Sequence, residues 1–315
     1  MNPTSYCASH RQILPLHLLC ALCIFLIPTS MAGCGGGSSQ PSSPTGSTSV
    51  TLLVSSTANA LWSQFALNIT GVTLNDNKGN SVSLLDTPQS VEFMSLNGSA
   101  QPLATVSIPQ GGVYTSATVS VNFGVGICVT LDPSSGIPQY FFPASSAGNN
   151  VTVNLLEPIT IGGNGMVLDM DLQIPQSTYF TTCAAAIQSP PSASPFAPVF
   201  YLRSLALASQ PSNAANGKIT GLRGLIESVD SNSANFSVLG AETRSYFITL
   251  PAEPPTWQIS TNGSTVFQGV ASASSLTTGV PVDMDVAIQA DGTLVATRVA
   301  VYDTDPANLF FSINN

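Results

Sequence analysis

Two near-identical segments carry the residues best placed for chemistry: Val167-Leu168-Asp169-Met170-Asp171-Leu172 and Pro281-Val282-Asp283-Met284-Asp285-Val286. Side chains alternate across an extended strand, so each Asp-x-Asp puts two carboxylates side by side on one face. Such a pair can ligate calcium. It can also work as general acid and base on a glycan, with Glu157 as a further carboxylate. The plain reading is a strand whose polar face meets water. Asp285 has a foreseeable basic partner in Arg298, derived below. Asp169 and Asp171 have none in the sequence, which makes them the better metal or catalytic candidates.

Other chemistries are excluded by what is missing. Both histidines, His10 and His17, lie in an N-terminal leader described below. Beyond it no Ser-His-Asp or Cys-His arrangement, His-ligated metal or histidine pH switch can be built. The G-x-S-x-G, S-x-x-K, H-E-x-x-H and P-loop patterns are absent as well. Aromatic runs at Tyr140-Phe141-Phe142, Tyr179-Phe180 and Phe200-Tyr201 could form a sugar-stacking platform, though large aromatics more often fill cores.

The elements that must position these residues read as strands. Ala117-Thr118-Val119-Ser120-Val121-Asn122-Phe123 alternates strictly, so its odd-numbered face is buried. Phe65–Thr70 and Val151–Leu155 share that period. Asn77-Lys78-Gly79-Asn80 and Pro109-Gln110-Gly111-Gly112 are turns between such runs, and Gly162-Gly163-Asn164-Gly165 is a further turn where a ligand could approach closely. No stretch reads as a convincing amphipathic helix. The run Ser209 to Gly217 has no apolar periodicity and marks a linker.

Past that linker, Gln289-Ala290-Asp291-Gly292-Thr293 reads as a hairpin turn. With Asp291 and Gly292 as the two loop residues, Ile288 faces Val295, Val286 faces Thr297 and Met284 faces Val299. On the other face Asp285 then stands opposite Arg298, a cross-strand ion pair of roughly 0.2–1 kcal/mol.

The N-terminal end supplies an address. Residues 13 to 28 form an apolar run preceded by Arg11 and followed by Met31-Ala32-Gly33-Cys34. At roughly 20 residues needed for a bilayer span, this run is short, and it fits a signal-peptide core. The box resembles a lipoprotein cleavage site, which implies a lipid on Cys34. Gly35, where Asp would signal inner-membrane retention, favours the outer membrane. The Gly/Ser/Pro stretch that follows cannot form a core and reads as a tether. Loss of Arg11 with the leader leaves six basic residues against sixteen acidic ones, a net charge of −10, which argues against nucleic acid or anionic lipid as partners.

Of six cysteines, Cys7, Cys20 and Cys23 leave with the signal and Cys34 carries lipid. Cys128 and Cys183 remain. In an oxidising compartment they are expected to pair; unpaired, they would pack as small hydrophobes.

Two stretches resemble known families. Val72-Thr73-Leu74, Val91-Glu92-Phe93-Met94-Ser95-Leu96-Asn97-Gly98 and Ile108-Pro109-Gln110-Gly111-Gly112-Val113-Tyr114-Thr115, with Leu168-Asp169-Met170-Asp171-Leu172 as a closing strand, resemble the bacterial lipoprotein domain-of-unknown-function family 4382. The acidic opening motif usual there is replaced by Ser55-Ser56-Thr57-Ala58-Asn59-Ala60. Gly221-Leu222-Arg223-Gly224-Leu225-Ile226-Glu227-Ser228-Val229-Asp230 through Ala290–Val299 resembles domain-of-unknown-function family 5666, which implies a small β-barrel.

The expectation is an all-β protein: signal peptide 1–33, disordered tether 34–49, β-sandwich 50–208, linker 209–217 and a smaller β-barrel-like domain 218–315. Its expected role is a non-catalytic binding or structural module of the cell envelope, anchored to membrane by lipid, with an envelope protein or glycan as partner. The competing expectations are a carboxylate-dependent glycan hydrolase and a calcium-stabilised adhesion domain.

Overall fold

A computed structural model describes residues 46–131, 138–141, 144–145, 149–178, 182–183, 197–207, 217–230, 234–240 and 252–301. The signal segment, Cys34 and most of linker 209–217 lie outside them. The first eleven strands are β1 Ser47–Thr57, β2 Gln64–Asn75, β3 Ser81–Leu85, β4 Gln89–Glu92, β5 Ala100–Pro109, β6 Val113–Leu131, β7 Pro138–Phe141, β8 Ala144–Ser145, β9 Asn149–Thr160, β10 Gly165–Gln173 and β11 Phe200–Ala206. Six more follow: β12 Lys218–Asp230, β13 Asn235–Gly240, β14 Thr256–Ser260, β15 Val266–Gln268, β16 Pro281–Ile288 and β17 Leu294–Val301. The first begins at Ser47, inside the stretch read from the sequence as tether up to residue 49. Among the described residues no helix is long and apolar enough to cross a membrane.

Two sheets face each other across the first core. One runs β11-β10-β1-β5, with β1 parallel to β10 and antiparallel to β5. The other runs β3-β2-β6-β7, with β4 on β2 and both β8 and β9 on β6. Period-two patterning sends alternate residues inward. Leu52, Val54, Leu168 and Met170 come from the first sheet, and Phe65, Leu67, Val119 and Val153 from the second. Cys128, on β6, and Cys183, in the connection between β10 and β11, form a disulfide with their Cα atoms 5.7 Å apart.

The second body is ordered β14-β13-β12-β16-β17-β15, and a parallel β14–β17 contact closes it into a barrel. Its core holds Phe236, Trp257, Met284, Val286 and Val299. Leu53 and Val167, from the outward face of the β11-β10-β1-β5 sheet, are packed into that same core. The sandwich and barrel therefore form one compact unit.

Hydrogen bonds stitch this seam. The Trp257 indole N–H donates to the Pro102 carbonyl at 2.8 Å, Ser99 Oγ to Thr220 O at 3.0 Å and Ser49 Oγ to Asp291 O at 2.9 Å. Gly165 lies directly against Ala290, where a Cβ would strike backbone. The Gly162–Gly165 turn is thus approached at Gly165 by the protein's own barrel, while nothing lies within 4 Å of where a Cβ would stand at Gly162 or Gly163.

The β16–β17 hairpin departs from its sequence-derived register near the turn. Ile288 faces Leu294 and Val286 faces Ala296, while Asp285 faces Arg298 and Met284 faces Val299. The loop is one residue longer than expected: Gly292, at φ 87°, follows a turn closed by its own N–H to Gln289 O at 2.9 Å. A bulge between Asp285 and Val286 on the ladder then absorbs Thr297 and restores the outer register. The cause is parity. Ala296 and Val299 are 1 % and 0 % exposed yet three residues apart, and a regular strand cannot put both on one face.

Candidate functional site

Asp169 sits on β10 directly opposite Arg203 on β11. Its carboxylate is 4 % exposed and accepts from Arg203 Nε at 2.9 Å, Arg203 Nη2 at 2.6 Å and Ser55 Oγ at 2.7 Å. The sequence disclosed no basic partner for it because Arg203 comes from a strand beyond a long connection. The available signal was the short alternation Phe200-Tyr201-Leu202-Arg203, which puts Tyr201 and Arg203 on one face.

Asp171 lies beside Asp169 on the same face. Its Oδ2 accepts from Thr57 Oγ1 at 3.1 Å and from the Gln173 side-chain amide, while Oδ1 is buried without a hydrogen-bond partner. Burial, reinforced by the Asp169 charge, raises the Asp171 carboxyl above its ordinary value, against the lowering effects of Thr57, Arg203 and Gln173. Glu157 sits on an exposed part of β9 and is not among the hydrogen-bond partners of either carboxylate in the described residues.

The second pair is tied more tightly. Arg298 Nε donates to Asp285 Oδ2 at 3.0 Å, and its Nη2 donates to both Asp285 Oδ1 and Asp283. Arg223, from β12, donates to the other Asp283 oxygen at 3.1 Å. The backbone N–H of Gly221 reaches Asp285 Oδ1 at 3.1 Å. Hydrogen bonding from Arg298, with help from Gly221, holds the Asp285 carboxyl below its ordinary value, and the two aspartates raise the Arg298 guanidinium in return.

Neither pair presents an open carboxylate couple. Among the described residues no group of three or more His, Cys, Asp or Glu side chains is arranged to hold a metal ion. Of the aromatic clusters, Phe200 is core, and Tyr201 is 53 % exposed with its hydroxyl donating to Gln176 Oε1 at 3.1 Å. The side chains of Tyr140 and Phe141, and all of Phe142, Tyr179 and Phe180, lie outside the described residues.

Fold and site together define an all-β protein in which three of the four paired acids, Asp169, Asp283 and Asp285, are bridged to arginines within its own sheets. Residues 223–300, covering most of the barrel, match the sequence model of a family described as Domain of unknown function (DUF5666). No curated protein and no solved structure matches the chain.

Proposed function

We propose that this chain is a lipid-anchored lipoprotein of the cell envelope, held at Cys34 and most consistent with the outer membrane, that acts as a non-catalytic binding or structural module. The observation that carries the reading is the fate of the acids. Asp169, Asp283 and Asp285 are each committed to an arginine, so the residues best suited to chemistry are spent on joining strands. The N-terminal resemblance to family 4382 and the Gly/Ser/Pro stretch after Cys34 fit a module displayed away from a membrane.

In-cell crosslinking of the anchored protein, followed by affinity recovery and mass spectrometry, tests it. A reproducible protein or glycan partner is the expected result. Turnover of an envelope polymer by the purified protein would overturn it.

A second reading, carboxylate-dependent glycan hydrolysis, draws on one observation: the raised Asp171 carboxyl with its unpartnered buried oxygen. It requires Asp171→Asn to abolish an activity while leaving the fold intact.

A further inference from the structure

The sandwich has two outward faces, and they differ in kind. That of β11-β10-β1-β5 takes the barrel through Leu53 and Val167. Outward residues of the opposite one, on β3-β2-β6-β9, join neither core cluster. Register places Ser83, Thr73, Thr118 and Thr152 in one row across its four strands. Ser81, Asn75, Ser116 and Asn154 form a parallel second row. Gly71, Ser120 and Asn150 form a third. Ser81, Asn150, Thr152 and Asn154 are exposed and the others half-buried. None of these positions is charged or apolar.

Strand geometry spaces such groups about 4.8 Å apart between strands and about 6.8 Å apart along them. The rows are also internally oriented: Asn75 Nδ2 donates to Thr118 Oγ1 at 3.0 Å, and Ser120 Oγ donates to Asn150 Oδ1 at 2.8 Å. Charges flank the rows, with Asp76 and Lys78 in the β2–β3 turn and Glu157 farther along β9.

We propose that this face binds a neutral polysaccharide. The proposal rests on the binding-module reading and names its partner. Charge sets the first limit, since nucleic acid and anionic lipid need cations that the face lacks. A protein partner needs a cluster of apolar or aromatic anchors, and beside the rows the described residues offer single exposed apolar side chains, Leu156 at 101 % and Val113 at 46 %. Hydroxyls and amides each donate and accept, as sugar hydroxyls do, and a lattice regular in two directions suits an extended repeating chain.

The test is affinity electrophoresis of the detergent-solubilised full chain through gels containing neutral β-glucan, galactomannan or arabinoxylan, with polygalacturonate as the charged control. At least one neutral polymer retards the native protein and polygalacturonate does not. Thr73→Lys/Thr118→Lys/Thr152→Lys abolishes retardation at native circular dichroism. Should that variant not fold, Thr152→Lys alone, on exposed β9, weakens retardation at least roughly tenfold, as one lost hydrogen-bonding site and a misplaced charge allow. Native protein unretarded by all three neutral polymers overturns the inference, and so does retardation that survives Thr152→Lys but is lost in Tyr201→Ala. A protein captured in the crosslinking experiment, without retardation here, sinks the polysaccharide and leaves the binding module standing.

Discussion

Asp171 and Asp285 occupy equivalent places in near-identical motifs, yet their surroundings push them in opposite directions. Asp285 is lowered by Arg298, so its folded value lies below the 3.8 of the free side chain. Its stabilisation is therefore present above that value and is lost as pH falls through the folded one. Asp171 is raised by burial, so the folded protein holds its proton more tightly than the unfolded chain. Ionisation then costs stability above the raised value, and the cost disappears on acidification. Thermal melts across pH check this pair: Asp285→Asn lowers the midpoint at pH 7, Asp171→Asn raises it, and both differences vanish at pH well below 3.8. A lower midpoint for Asp171→Asn at neutral pH would contradict the assignment of burial as the dominant cause. The motif itself was legible in the sequence and so was Arg298, thirteen residues away along one hairpin. Arg203 and Arg223 were not, because their pairing depends on which distant strands become neighbours.

At the scale of the element, the β16–β17 hairpin shows where pattern reading succeeds and where it slips. The Asp-Gly signal located the turn, and the Asp285–Arg298 pair follows from it. The two errors of one residue, a longer loop and a bulge, cancel beyond Thr297 and leave Ile288 and Val286 with different partners from those expected. Both errors were encoded in the phase break between Ala296 and Val299, which only shows once both are known to be buried. Deleting Thr297 removes the phase break and keeps Asp285 opposite Arg298. The deletion is expected to fold, at a cost of about 1 kcal/mol for the lost hydrogen bond from Thr297 Oγ1 to Asp285 O. Denaturant melts measure that cost, and failure to fold would show that the bulge does more than correct parity. The all-β class was similarly readable, as were the runs Phe65–Thr70, Ala117–Phe123 and Val151–Leu155, since one-sided burial imposes alternation; β1 and β10, buried along nearly their whole length, carry no such pattern.

For the whole molecule, the seam decides whether two bodies behave as one. Trp62 lies in the sandwich core and Trp257 at the seam, so single-tryptophan variants report each body separately. Coincident unfolding transitions are expected. Gly165→Val drives a side chain into Ala290, lowers stability by about 2 kcal/mol and separates the two transitions. Removing the Cys128–Cys183 bond, which spans 55 residues, lowers stability by about 4 kcal/mol in the chain-entropy model and is read from melts with and without reductant. None of the seam was legible beforehand: Leu53 and Val167 look like ordinary strand residues until their outward face finds a partner.

The position of β1 carries a mechanical meaning. The first strand among the described residues is flanked on one side by β5 and on the other by parallel β10, so it is an interior strand of its sheet. A pull entering at Ser47 along the strand would load both ladders in shear, straining many hydrogen bonds at once. An edge strand pulled across its ladder would instead unzip one bond at a time. Whatever holds the N-terminal end, the folded body meets tension there with its most force-resistant geometry.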